Sequence, residues 1–183
     1  MRLSRYVAQA GLIAAVYGTL SVVVIQNPWG FGPVQFRVSE SLTVVALFTP
    51  AAVPGLWLGT VFANLFMLPA FGPVALLDVV FGGLGTLLGA AWTWHFRPRR
   101  ALALAGPVIS NALIVPAYLP VILAGMGFYS VPVFGWDLEG HYLAMYVFGV
   151  ASVGIGQAVV VYGLGLPLAK FLERHARAWS SGG

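Results

Sequence analysis

The sequence predicts an all-α integral membrane protein, and two features of its composition carry that prediction. Its 183 residues are 60% hydrophobic and only 8% charged, with a mean hydropathy of +0.90. Soluble domains carry about 25% charged residues, so a soluble fold of this size could not cover its apolar surface with so few charges. We predict a single multi-pass domain of the cell (cytoplasmic) membrane over residues 1–179, followed by a flexible tail at 180–183.

The apolar runs set the number of helices. A helix that crosses about 30 Å of hydrocarbon needs roughly 20 apolar residues. The one ambiguous run extends from Pro33 to Phe66, where Pro50 and Pro54 interrupt it and leave either one kinked span or a hairpin of two. With the hairpin, six transmembrane helices are predicted, at about 7–25, 38–49, 50–67, 76–94, 101–124 and 141–168.

The basic residues favour the hairpin, because Lys and Arg concentrate in cytoplasmic loops. With six spans all the basic clusters fall on one side, both termini are cytoplasmic, and of the nine basic residues only Arg37 is external. The net charge of +4 then reflects basic helix ends, and we expect no nucleic-acid partner.

Several classes of chemistry find no support in the sequence. There are no cysteines, and the three histidines are dispersed over different spans, so neither a disulfide framework nor a metal site is expected. HExxH, GxSxG and Walker A motifs are absent. We therefore predict a protein that is not an enzyme, has no ATPase motif of its own and uses no cofactor.

Polar residues gather on the predicted outer side. Glu40 and Asp78 lie inside helices, where a charge is expensive unless it is paired or lines a cavity. Arg37 stands three residues before Glu40 and could pair with it on one helix face. We expect an outward-facing pocket whose further candidate residues are Gln35, Asn64 and Asn111, with Trp29, Trp136 or Tyr129 as a roof.

Each of these residues also has a structural interpretation. Arg37 and Glu40 could form an ion pair without a ligand, Asp78 could be a charge favoured at a helix N-terminus, and the two asparagines could bond neighbouring helices. Small residues four apart, such as Ala10 and Ala14 of the first span, allow close approach of another helix. A second ladder of small residues comprises Gly55, Gly59 and Ala63.

Three stretches of the sequence together resemble one known family. They are FGPVQFRVSESLT at 31–43, TPAAVPGLWLGTVFANL at 49–65 and LDVVFGGLGTLL at 77–88. The match covers roughly residues 10 to 115 and departs only mildly from the family pattern, as with Ser41 and Gly83, at no charged position. These stretches resemble the QueT family of substrate-binding S components of energy-coupling-factor (ECF) transporters.

The resemblance implies the six-helix S-component fold and capture of a queuosine precursor, a 7-deazaguanine derivative, from outside. Its implied partners are the membrane-embedded coupling T subunit, which Ala10 and Ala14 would contact, and two cytosolic ATPase subunits. A 7-deazaguanine presents an N1–H and a 2-amino group side by side, and one carboxylate can accept both. We expect Glu40 to take this edge, with Asp78 as the second acid.

In the same reading, Asn64, Asn111, Gln35 or Arg37 would donate to the base oxygen and N3, and the ring would stack on Trp29 or Trp136. Three alternatives stay open: an S component for another vitamin or purine, an intramembrane enzyme, and a ligand-free scaffold protein.

Overall fold

The structure, a computed structural model, describes residues 3–25, 36–125 and 142–181. In these ranges the chain is helical and has no strand, and five helices are long and apolar enough to cross a membrane. The predicted class, an all-helical membrane protein, is confirmed. The helices in chain order are α1 (Leu3–Ile25), α2 (Val38–Leu47), α3 (Ala52–Phe71), α4 (Pro73–His95), α5 (Arg100–Gly125) and α6 (residues 142–181).

The long helices are not uniformly α-helical. The fourth, α4, opens with a 3-10 turn at Pro73–Ala75, passes through a π-helical stretch at Asp78–Gly82 and continues as α-helix over Gly83–His95. In α6, a π-helical stretch at Val159–Gly165 separates two α-helical parts. Such π stretches inside α-helices frequently occur at functional sites.

The short helix α2 differs from the others because it is a 3-10 helix of ten residues. At about 2.0 Å per residue it extends roughly 20 Å, less than the hydrocarbon thickness of about 30 Å. A backbone turn over 48–51 follows it, in which the Phe48 N–H donates to the Val45 carbonyl and the Ala52 N–H to the Thr49 carbonyl. Pro50 lies in this turn, so the apolar run is divided where its sequence indicated.

Contacts between the first three helices fix their directions. The backbones of Gly55 and Gly59 in α3 lie against Ala10 and Ala14 in α1 in the same order, so α1 and α3 are parallel. In contrast, Tyr17 contacts Glu40 and Gln9 contacts Thr49, so α2 is antiparallel to α1. The chain therefore reverses direction at the Pro50 turn.

The remaining helices alternate in direction along the chain. Thr60 bonds Thr86 and Asn64 bonds Asp78, which makes α3 and α4 antiparallel. Thr93 contacts Ala103 and Gly82 contacts Tyr118, so α4 and α5 are antiparallel. Gly149 contacts Pro116 and Tyr162 contacts Ala101, so α5 and α6 are antiparallel as well.

These directions give the molecule two different ends. Arg37 and Asp78 lie at one of them, which we call the acidic end because it carries Asp78 and, one helical turn inward, Glu40. At the opposite end, which we call the basic end, Arg100 at the start of α5 pairs with Glu173 near the end of α6. The basic residues of the 97–100 and 170–174 segments therefore lie together.

The outer surface of the helices is largely apolar. Large hydrophobic side chains such as Leu12, Phe62 and Leu143 are 61–73% exposed. A soluble monomer rarely exposes apolar patches of this extent. Lipid chains are the natural cover for such a surface, in agreement with the composition.

The interface between α1 and α3 depends on glycine. A Cβ on Gly55 would lie 2.8 Å from the Ala10 carbonyl oxygen and 2.9 Å from the Ile13 Cβ. A Cβ on Gly59 would lie 2.8 Å from the Ala14 carbonyl oxygen. The ladder read from the sequence thus meets α1 in the structure, and Ala10 is buried there.

We predict that Gly55→Ala destabilises the protein, because its new methyl group has no room between the helices. Overpacking of this kind typically costs about 1–3 kcal/mol. The measurement is thermal unfolding of the purified protein in detergent. Gly11→Ala is the control, since a Cβ there finds nothing within 4 Å. Equal melting temperatures for the two variants would contradict the packing described here.

Candidate functional site

An ion pair marks the acidic end of the molecule. Arg37 precedes α2, Asp78 lies in α4, and the Arg37 Nη2 atom is 3.8 Å from the Asp78 Oδ1 atom. Both side chains are partly exposed, at 29% and 21%. The pairing with Glu40 that the i, i+3 spacing suggested is replaced by this contact between two helices.

Asp78 is held in place by two further groups. The Tyr118 hydroxyl of α5 donates to Asp78 Oδ1, and the Asn64 side-chain amide of α3 donates to the Asp78 backbone carbonyl at 2.7 Å. Gly82 makes this arrangement possible, because a Cβ there would lie 2.6 Å from Asp78 Oδ1 and 3.1 Å from the Tyr118 hydroxyl. Asp78, the first residue of the π-helical stretch, thus contacts α3 through its backbone carbonyl, and α5 and Arg37 through its carboxylate.

Glu40 lies deeper and has no exposed surface. Its Oε1 atom accepts a hydrogen bond of 2.7 Å from the Tyr17 hydroxyl of α1. Its Oε2 atom has no hydrogen-bond partner among the described residues. A buried polar atom left without a partner costs about 1–3 kcal/mol, which is a strong reason for a ligand to meet it.

Asn111 of α5 is buried with only 2% of its surface exposed. It faces α4, where a Cβ on Gly85 would lie 2.6 Å from the Asn111 Oδ1 atom. Neither Oδ1 nor Nδ2 has a hydrogen-bond partner in the described part of the chain. The interpretation of Asn111 as a bond between helices therefore has no support among these contacts, and the amide is available as both donor and acceptor.

The arrangement offers hydrogen-bonding groups to a small polar molecule. Arg37, Asp78 and Asn64 lie together, and Glu40 and Asn111 each present unused hydrogen-bonding atoms. Residues 3–25, 36–125 and 142–181 contain no group of three or more possible metal ligands. The predicted contacts Gln35, Trp29 and Trp136 lie outside the described residues.

Two tyrosines of the site were not among the residues predicted from the sequence. Tyr17 and Tyr118 are 2% and 6% exposed, and each donates to a carboxyl group. The sequence could have indicated them, because the phenol hydroxyl of a tyrosine inside an apolar span usually has a hydrogen-bond partner. Thr60 lies one residue after Gly59, which Tyr17 contacts, and its hydroxyl hydrogen-bonds Thr86.

We predict that Tyr17→Phe destabilises the protein more than Tyr118→Phe does. The first change leaves the Glu40 carboxyl group without its donor in a fully buried position, which costs about 1–3 kcal/mol. The second leaves Asp78 with Arg37. Thermal unfolding of the three ligand-free proteins in the same detergent measures the difference. A melting temperature for Tyr17→Phe equal to that of the wild type would contradict the assigned role of Tyr17.

Comparison with known proteins agrees with the resemblance seen in the motifs. A family model described as QueT transporter matches residues 7–174. The queuosine precursor transporter QueT of Lactococcus lactis subsp. cremoris (strain MG1363) is 32% identical over 77 residues, which are 42% of this chain and 42% of that relative. The match thus spans about two fifths of the relative's length. No solved structure matches significantly. Because the family model covers nearly the whole chain, this protein belongs to the QueT transporter family.

Proposed function

We propose that this protein is the substrate-binding S component of an ECF-type importer and captures a queuosine precursor, a 7-deazaguanine derivative, from outside the cell. The family supports transport, and the relative's name supports the substrate. The observation that carries the proposal is the buried Glu40 Oε2 atom, which has no partner in the described part of the chain.

The donor edge of a 7-deazaguanine complements Glu40. The ring presents an N1–H and a 2-amino group side by side, and a carboxylate accepts two parallel hydrogen bonds well. Oε2 is free to accept one of them. Oε1 already accepts from Tyr17, but a carboxylate oxygen has two lone pairs and can accept a second bond.

The remaining polar groups complete the recognition. Asn111 can donate to the ring carbonyl oxygen through Nδ2, and Arg37 or Asn64 could donate to the same oxygen or to N3. A 7-aminomethyl substituent carries a positive charge, which Asp78 would attract although it already pairs with Arg37. Gln35, Trp29 and Trp136 complete the proposed site as a further donor and as stacking partners.

The proposed orientation has the acidic end outside and the basic end, with both termini, in the cytoplasm. The cluster of basic side chains beside Arg100 supports it, because cytoplasmic loops carry the excess of Lys and Arg. In this arrangement α2 counts as a span and brings the total to six, although it is shorter than the other five. The Pro50 turn is then cytoplasmic.

Energy would come from two cytosolic ATPase subunits through a coupling T subunit that contacts α1. The predicted contacts Ala10 and Ala14 lie on the side of α1 that meets α3. Gly11 and Ala15, next to them in the sequence, are exposed and leave room for another helix. We propose that the coupling subunit meets α1 along this open part of the small-residue surface.

The proposal is tested by titrating the purified protein and following tryptophan fluorescence. The ligands are 7-aminomethyl-7-deazaguanine, 7-cyano-7-deazaguanine, queuine, guanine and riboflavin. Saturable binding of a 7-deazaguanine in preference to guanine and riboflavin is expected, and mass spectrometry should find such a compound copurifying. If the protein prefers riboflavin or guanine, the proposed substrate is wrong and the preferred compound takes its place. If it binds none of the five compounds, the proposal is refuted.

We predict that Glu40→Gln weakens binding of the preferred 7-deazaguanine at least tenfold, because an amide accepts through one atom where a carboxylate accepts through two. Isothermal titration calorimetry of the detergent-solubilised protein measures the change. Glu173→Gln is the matched control, since Glu173 lies at the basic end in an ion pair with Arg100. An unchanged affinity for Glu40→Gln would remove Glu40 from the site.

A further inference from the structure

We propose that Gln157 of α6 is a further substrate contact that donates a hydrogen bond through its Nε2 atom, an inference that rests on the proposed function. Gln157 is 3% exposed, and its Nε2 atom has no hydrogen-bond partner among the described residues. A buried amide in a membrane protein is expensive when it is left unpaired. The question is whether this amide faces the same space as Glu40 and Asn111.

The neighbours of Gln157 on α6 locate it along the molecule. Val153 lies four residues before it and Val161 four residues after it, so the three side chains lie on one side of the helix. Val161 belongs to an apolar cluster nearer the basic end. Val153 belongs to an apolar cluster nearer the acidic end. Gln157 is therefore a polar residue between two apolar clusters.

Asn111 occupies the same position on α5. Leu104 of α5 contributes to the cluster of Val161, and Val115 contributes to that of Val153. Asn111 lies between them in the sequence and is buried. A contact between α5 and α6 supports this placement, because a Cβ on Gly154 would lie 3.5 Å from the Ala112 Cβ. Gly154 precedes Gln157 by three residues and Ala112 follows Asn111, so Asn111 and Gln157 lie within about one helical turn of each other along the helix axes.

Glu40 reaches this level from α2. Val44 belongs to the same cluster as Val161, and a Cβ on Gly165 would lie 2.7 Å from the Val44 Cγ1 atom. Glu40 precedes Val44 and Gln157 precedes Val161, and α2 and α6 both run from the acidic to the basic end, so Glu40 and Gln157 both lie on the acidic side of this cluster. We call Glu40, Asn111 and Gln157 the polar layer.

The unpaired atoms of the polar layer define what a ligand must offer. Glu40 Oε2 and Asn111 Oδ1 need donors, whereas Asn111 Nδ2 and Gln157 Nε2 need acceptors. The complementary ligand is a planar heterocycle with at least two donors and two acceptors. A 7-deazaguanine has this complement in its N1–H, its 2-amino group, its carbonyl oxygen and N3.

This role predicts opposite effects on binding and on stability. A residue kept only for packing would lower the stability of the ligand-free protein when it is replaced. Gln157→Met removes an unpaired amide nitrogen at nearly constant volume, so the ligand-free protein should be as stable as the wild type or more stable. The same change should weaken binding because the ligand acceptor loses its donor.

The experiment compares the wild type, Gln157→Met and Gln157→Glu as full-length proteins in detergent. Each is titrated calorimetrically with 7-aminomethyl-7-deazaguanine, and the melting temperature of each ligand-free protein is measured. We expect at least tenfold weaker binding for both variants, with no fall in melting temperature for Gln157→Met. Gln157→Glu retains the size but has no amide donor, and it provides a second comparison if the Met variant folds poorly.

Gln9→Met is the control, because Gln9 lies at the basic end of α1 and its amide oxygen already accepts from Thr49. It should bind as the wild type does. Gln157 variants that bind within twofold of the wild type, or a Gln157→Met protein that melts clearly below it, would overturn the assignment of Gln157. A wild type that binds no 7-deazaguanine would instead refute the proposed function itself, so the two failures are distinguishable.

Discussion

The buried Glu40 carboxyl group is the constraint on which the arrangement of helices depends. A carboxyl group without exposed surface needs hydrogen bonds, and Tyr17 of α1 supplies one at 2.7 Å. That bond requires α1 to lie beside α2, and α1 can also lie beside α3 because Gly55 and Gly59 admit its backbone. The side chain that most needs a partner thus lies beside a close contact between two helix backbones.

At the acidic end, Asp78 is likewise bound by residues from other parts of the chain. It receives Arg37 from the segment before α2 and Tyr118 from α5, while its backbone carbonyl receives Asn64. A residue with a side chain at position 82 could not be accommodated here, since a Cβ there would collide with the carboxylate. The outer acid therefore already has partners from three other segments, whereas the deeper layer has hydrogen-bonding atoms without a partner among the described residues.

The sequence predicted features that follow from composition and local chemistry. Low charge predicted membrane helices, Pro50 predicted the division of the long apolar run, and acids inside helices pointed to Glu40 and Asp78. It missed features that depend on how helices face one another. Arg37 has non-helical backbone angles (φ −81°, ψ 87°), so the i, i+3 geometry behind its pairing with Glu40 does not apply.

The sequence also could not show which side of α1 meets α3. Ala10 and Ala14 alternate with Gly11 and Ala15, and both pairs consist of small residues, so nothing in the sequence says which pair faces inward. The glycines of α3 decide it, because their backbone meets the carbonyls of Ala10 and Ala14. Gln157 was equally visible as a polar residue in an apolar run, but its partner layer is assembled from helices distant in sequence.

The position of the polar layer bears on how a substrate could pass through the protein. The apolar cluster of Val44, Leu104, Val161 and Ala169 lies between this layer and the basic end, and each of these residues is at most 1% exposed. A polar ligand cannot cross such a cluster without losing its hydrogen bonds, at several kcal/mol for each group left unpaired. Release toward the basic end therefore requires α2, α5 and α6 to separate or the whole protein to move in the membrane. Separation of these helices disrupts favourable packing, and under the proposed function the coupling and ATPase subunits would supply the work that this needs.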